Sequence, residues 1–203
     1  ISKQIQQTVV CDFRVQDLLF GGQGAPLVPI GDRLLFSQYD YCLNLGGFAN
    51  ISKVNDGVCI AYDICPVNVV MNHYAQKLAM PYDSGGELAR SGQILPTILE
   101  KLQVLPFYKQ AFPKSLGIEW VHREIMPILE ASKAKEEDIL RTCVAHFASQ
   151  IAQELDVGSR VLVTGGGAYN RFFLEQIKAL IDVSLVVPNE TLTEFKEALI
   201  FGL

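Results

Sequence analysis

The sequence predicts an α/β fold on one mixed sheet: an antiparallel three-strand meander, then parallel strands joined through helices, with a helical insert. Three observations predict it. Apolar runs at 41–45, 49–54 and 58–64 are separated by Gly46-Gly47 and Asn55-Asp56-Gly57, residues that suit tight hairpins. Two later strand-like runs, 160–164 and 184–187, alternate with segments of helical periodicity. Glycine clusters fall at strand ends, where a backbone can approach a ligand with no Cβ in the way.

The bulk numbers agree. At 203 residues, the chain fits one large domain or two small ones. With 49% hydrophobic and 19% charged residues it can bury a core, and a net charge of −5 argues against nucleic-acid or anionic-membrane partners. Five cysteines, odd in number and mostly inside apolar runs, read as buried thiols of a reducing compartment. His73, His122 and His146 lack zinc-ligand spacing, so no structural zinc site is expected. The first residue is not Met and the last segment, Ala198–Leu203, reads as an apolar helix still running; a fragment of a longer protein is expected.

In chain order, Thr8–Phe13 is β-branched and apolar and is expected to be a buried strand delivering Asp12 and Arg14 at its end. Residues 15–36 are expected to be a packed, glycine- and proline-rich loop. Tyr41–Leu45, Ala49–Val54 and Val58–Ile64 form the meander. Asn68–Met80 reads as a helix stopped by Pro81, and 82–134 as a broken helical insert punctuated by prolines. Glu136–Leu155 is the clearest helix: Ile139, Leu140, Cys143, Val144, Phe147, Ala148 and Ile151 make one apolar face, with acidic residues in the first turn. Arg160–Thr164 is a strand, Ala168–Ile181 a helix and Ser184–Val187 a strand. Thr191 and Glu194 have capping-box spacing for a last helix.

The order β-β-β-α-insert-α-β-α-β-α is that of a ribonuclease-H-like half-domain, two of which enclose the nucleotide cleft in actin, sugar kinases and the heat-shock ATPases. Residues 1–40 are expected to belong to the end of a first lobe and a substrate loop, and 41–203 to the second lobe.

Several residues fit chemistry at such a cleft. Gly46-Gly47 fits a tight turn of positive φ or a phosphate-binding turn rimmed by Asn44 and Asn50. Gly165-Gly166-Gly167 joins a strand to a helix. It fits a flexible connector or a flat approach for a nucleoside, with Asn170 as helix cap or ligand contact. Asp12 fits an N-cap or turn aspartate, or a general base beside Arg14. Asp63 fits a cap or a ligand to substrate or metal. Pro113-Lys114-Ser115 reads as a solvated loop in preference to a substrate contact, and the histidines and Trp120 as structural.

In family order, the stretches Asp12-Phe13-Arg14, Gly21-Gly22-Gln23-Gly24-Ala25-Pro26-Leu27-Val28-Pro29 and Asn44-Leu45-Gly46-Gly47-Phe48-Ala49-Asn50 resemble anhydro-N-acetylmuramic acid kinase. So do Pro113-Lys114-Ser115 with Gly117, Gly165-Gly166-Gly167 with Asn170, and Glu197-Ala198-Leu199. The resemblance implies a cytoplasmic carbohydrate kinase, ATP- and Mg²⁺-dependent, that opens its anhydro-sugar with water and phosphorylates O6. It implies a homodimer, with Asp12 as the base. Arg14, Asp63, Asn68 and Glu197 are placed on the substrate side, Gly46, Gly47 and Asn50 at the phosphates, and Gly165, Gly166, Gly167 and Asn170 at the nucleoside.

Two departures set further expectations. The family's opening phosphate loop, GxMSGTSxDGxD, is absent, so these 203 residues alone are expected to be inactive. The family's DTGPGN is Asp63-Ile64-Cys65-Pro66-Val67-Asn68 here, and the added bulk is expected to reshape the site. A binding-only relative, or a kinase of the same fold acting on another sugar, is the alternative that this segment motivates.

Overall fold

Strands form at Tyr41–Leu45 (β1), Phe48–Asn55 (β2), Val58–Pro66 (β3), Arg160–Thr164 (β4) and Ser184–Val186 (β5) in the computed structural model, which describes residues 2–22, 24, 27–55 and 58–202, without the Asn55 side chain. Among these residues the sheet order is β3-β2-β1-β4-β5. β1–β2 and β2–β3 are antiparallel, and β1–β4 and β4–β5 parallel. The meander was legible because its glycine and asparagine breaks stand between β-forming runs; Asp56 and Gly57 themselves lie outside the described residues, as do Gln23, Ala25 and Pro26 of the glycine-rich segment.

The helices, in order, are α1 (Ser2–Ile5), α2 (Phe13–Leu19), α3 (Pro29–Leu35), α4 (Asn68–Lys77), α5 (Glu87–Ser91), α6 (Pro96–Gln103), α7 (Ile118–Trp120), α8 (Met126–Glu130), α9 (Glu136–Ala152), α10 (Arg171–Leu180) and α11 (Glu190–Phe201). The insert holds α5 to α8, broken by Pro96 and Pro106 and joined from Val121 to Ile125 by one π-helical turn. The side-chain period of two sends Leu43 and Leu45 to one face of β1 and Cys42 to the other. On the first face α4, α9 and α10 close the main core, with Tyr74, Phe147 and Phe173 fully buried. On the second, α3 and α11 cover a smaller cluster of Val28, Phe36, Cys42, Leu162 and Ile200. Beside that cluster the buried Lys196 ammonium meets Asp32 at 2.9 Å, and Ser52 Oγ donates to the other Asp32 oxygen at 2.6 Å.

Three expectations are corrected. Residues 8–12 form no strand, and Phe13–Leu19 is helical, with Asp12 as its N-cap at φ 60°. A strand exists through its ladder, and none of the sheet's strands pairs with 8–12, all of which are exposed. The expected loop 15–36 contains most of α2 and all of α3, because Pro29 at a first helical turn and the apolar Val28 and Phe36 let that segment dock on the sheet. The last helix is capped by Asn189, whose side chain accepts from Leu192 N at 2.9 Å, rather than by Thr191.

Candidate functional site

β1 and β4 run parallel and side by side, and each ends in a glycine turn at the same edge of the sheet. Ligands of open α/β sheets bind outside such carboxyl ends. The turns are packed together. Gly165, at φ 82°, has no room for a Cβ, which would lie 2.5 Å from Asn44 Oδ1. Gly46 and Gly166 are different. Neither has a left-handed φ, and a Cβ there would meet nothing nearer than 3.5 Å and 3.7 Å. Tight-turn geometry therefore does not explain Gly46; both positions leave bare backbone at the edge where a ligand approaches. The start of α4 is fastened to the same place. Asn68 N donates to Gly46 O at 3.3 Å and Asn68 Nδ2 to Leu45 O at 3.2 Å.

Two cavities flank these turns. The larger, about 450 Å³, lies between α4 (Asn68, Asn72), the 82–85 segment, the second glycine turn (Gly166, Gly167, Asn170) and the first turns of α11 (Glu190, Glu194). Asn170 caps α10 by accepting from Phe173 N at 2.9 Å, so its helix-cap role is realised while it also faces this cavity. The smaller, about 150 Å³, gathers Arg14 of α2, Asn50 of β2, Asp63 of β3 and Glu197 of α11. Asn44, in the strand that leads into the first glycine turn, donates through Nδ2 to Glu197 Oε1 of the smaller cavity at 3.5 Å.

The sheet register sets a polar row across four strands, of which Asn50 and Asp63 line the smaller cavity. Asp63 stands opposite Asn50, Asn50 opposite Asn44, and Asn44 opposite Thr164, one polar side chain from each of four adjacent strands. Residues in register share a face. Asp63 is 6% exposed, and its Oδ2 accepts from Leu116 N at 2.8 Å and Ser115 Oγ at 3.2 Å. Burial pushes its carboxyl up, and the Leu116 N–H, the Ser115 hydroxyl and the Arg14 charge pull it back.

That contact corrects the reading of residues 113–115 as a solvated loop. Lys114 is buried, paired with Glu154 at 3.5 Å, and lies over the Tyr62 and Phe107 rings. Lysine buries its stem and head where a carboxylate and aromatic faces replace water, which a local sequence window does not display.

Of the residues singled out in the sequence, Arg14, Asn50, Asp63 and Glu197 meet in the smaller cavity, and Asn68, Gly166, Gly167 and Asn170 in the larger. Asn68 thus stands with the glycine turn rather than with Asp63, and Asn50 stands with Asp63 and Arg14. Gly46, Gly47 and Gly165 line neither cavity and lie in the turns between them. Asp12 is exposed at the head of α2, the helix that carries Arg14 into the smaller cavity. The bulky Ile64, Cys65 and Val67 are buried in the main core and line neither cavity. Sequence reading missed Asn72 and Glu190 and took Glu194 only as a cap; polar residues on a helix carry no local signal of what they face.

A β3-β2-β1-β4-β5 sheet with helices on both faces and cavities at the carboxyl ends of β1 and β4 defines a lobe of the actin-like ATPase and sugar-kinase fold. The activator of the 2-hydroxyisocaproyl-CoA dehydratase from Clostridium difficile, solved with bound ADPNP, superposes with a TM-score of 0.51 at 16% identity, covering 84% of this chain and 60% of that one. The chain belongs to the anhydro-N-acetylmuramic acid kinase family, which it matches over residues 1–203. Curated relatives of that name include one from Variovorax paradoxus (strain S110), 37% identical across 84% of this chain and 50% of its own length. Another, from Francisella tularensis subsp. novicida (strain U112), is 33% identical over 100% of this chain and 58% of its own length. The chain thus spans about half the length of the curated relatives it matches.

Proposed function

We propose that the whole protein is an ATP-dependent kinase of cell-wall recycling that opens the 1,6-anhydro ring of anhydro-N-acetylmuramic acid with water and phosphorylates O6, giving N-acetylmuramic acid 6-phosphate and ADP. The observation that carries this reading, beside family membership, is the pair of cavities that flank the glycine turns. The larger cavity takes the nucleotide and the smaller the sugar. The bare backbone at Gly46 and Gly166 suits a polyphosphate between them, with the N-terminus of α4 close by.

In this reading Asp12 takes a proton from the water that attacks the anomeric carbon while O6 accepts the γ-phosphoryl group. Arg14, Asp63 and Glu197 orient the sugar, and positioning supplies much of the rate. Asn44, Asn50 and Asp63 offer the oxygen donors that suit Mg²⁺ held mainly on substrate phosphates; that ion would neutralise phosphate charge. In the same reading residues 1–40 are the end of a first lobe and a substrate loop, and the enzyme is a cytoplasmic homodimer. No described helix is long and apolar enough to cross a membrane.

The binding-only alternative is motivated by Asp63–Asn68, but the core placement of Ile64, Cys65 and Val67 favours the catalytic reading. Incubating the full-length protein with ATP, Mg²⁺ and anhydro-N-acetylmuramic acid should yield a sugar that has gained both a phosphate and a water by mass. An unchanged sugar would sink the proposal; full turnover by the Asp12→Ala variant would remove Asp12 as base.

A further inference from the structure

The larger cavity has an unexpected electrostatic lining for a nucleotide site. Among the described residues its charged side chains are Asp83, Glu190 and Glu194, with no lysine or arginine. Asp83 is already used, its two oxygens accepting from Leu88 N at 2.8 Å and Ala89 N at 3.0 Å. Glu190 and Glu194 are not used up in this way. They stand four residues apart, one helical turn, so both face the cavity from the same side of α11. Glu194 Oε1 accepts from the Tyr169 hydroxyl at 3.4 Å, which ties that carboxylate to the wall carrying Gly166 and Gly167. Desolvation, then the charges of Glu194 and Glu190, push the Tyr169 phenol above its ordinary value.

A second, independent group points into the same space. Asn170 is 6% exposed and lines the cavity; its Oδ1 is taken by Phe173 N, while its Nδ2 donates to no partner among the described residues. The side chain is largely buried while its free amide donors stay open to the cavity, where they can meet an acceptor.

Two carboxylates repel a polyphosphate, and they accept hydrogen bonds but cannot donate them. The neutral end of a nucleotide presents the matching chemistry: two adjacent ribose hydroxyls, both donors, beside a base that has acceptors for an amide. We infer that Glu190 and Glu194 hold the ribose 2′- and 3′-hydroxyls of the nucleotide, so that the cavity selects ribonucleotides over 2′-deoxyribonucleotides. The inference rests on reading this cavity as the ATP site. The phosphates then extend away from α11's acidic turns, toward Gly46 and the start of α4.

The test is steady-state kinetics and calorimetric binding on the full-length protein with ATP and 2′-deoxy-ATP. The loss of one charge-assisted hydrogen bond should raise KM and Kd for the deoxynucleotide by about ten- to a hundredfold, with kcat little changed. The Glu190→Ala/Glu194→Ala variant should weaken ATP more than the deoxynucleotide, which has only its 3′-hydroxyl contact to lose, and so bring the two KM values together; Tyr169→Phe should move ATP in the same direction by less. Equal KM values for the two nucleotides in the unmodified protein would overturn the inference alone. So would equal weakening of both by the double variant, with an unchanged thermal midpoint. Failure of both nucleotides to bind the unmodified protein would overturn the ATP-site reading and the inference together.

Discussion

Asn50 and Asp63 are direct cross-strand partners on β2 and β3, and the Asp63 carboxylate that faces Asn50's cavity also anchors the 113–117 loop through Leu116 N at 2.8 Å. Because burial raises the Asp63 carboxyl, the folded chain binds its proton more tightly than the unfolded chain does. This contribution is present at low pH and is lost as pH rises from the ordinary value of 3.8 through the raised one. Asp63→Asn keeps an acceptor for Leu116 N and removes the buried charge. Its thermal midpoint at neutral pH should equal or exceed that of the unmodified protein, while sugar phosphorylation falls. A midpoint several degrees lower at neutral pH would show that the charge itself holds the loop.

Gly46 and Gly166 should separate folding from binding. With no left-handed φ and no close neighbour at the Cβ position, Gly46→Ala and Gly166→Ala should each fold with stability unchanged or raised by about 0.4–1 kcal/mol, through loss of unfolded-chain entropy. ATP affinity should drop in both, as a methyl group enters the cradle. Gly165→Ala should instead destabilise, since φ is 82° and Asn44 Oδ1 is in the way. Thermal melts with and without ATP distinguish the two behaviours.

His146 should make the fold acid-sensitive. Both its ring nitrogens are buried without a partner among the described residues, and burial pushes its pKa down to about 4 from 6.5. The unfolded chain therefore binds the proton first, and stability falls as pH drops from about 6.5 toward 4. His146→Phe keeps a ring against Tyr108 and should flatten that limb of the stability–pH curve. Stability at neutral pH should rise by about 1–3 kcal/mol as unpaired polar atoms leave the core. Denaturant unfolding across that range checks both; an unchanged slope would place the acid limb elsewhere.

Lys196 and Asp32 should be worth more together than either alone. Lys196→Met strands a carboxylate that is 5% exposed, with Ser52 as its remaining partner, and should cost about 3–5 kcal/mol. Asp32→Leu/Lys196→Met should recover much of that loss. A double variant no more stable than Lys196→Met would show that the pair contributes beyond charge balance.

The sheet's strands, the long helix α9, the broken insert and the glycine turns were legible because each depends on short-range chemistry: β-branched runs, a 3.6-residue apolar period, proline and glycine breaks. The motif residues were legible too, by their likeness to one family. Their grouping was not. Arg14, Asn50, Asp63 and Glu197 meet only because strand register and the docking of α2 and α11 bring distant chain positions to one sheet edge. Thr8–Phe13 has strand-like side chains but no ladder to join, and Lys114 looks solvated until Glu154 and two aromatic rings close around it. Local pattern determined which elements form and which residues are suited to chemistry. Pairing and burial, which are non-local, decided which of them share a cavity and what charge each carries there.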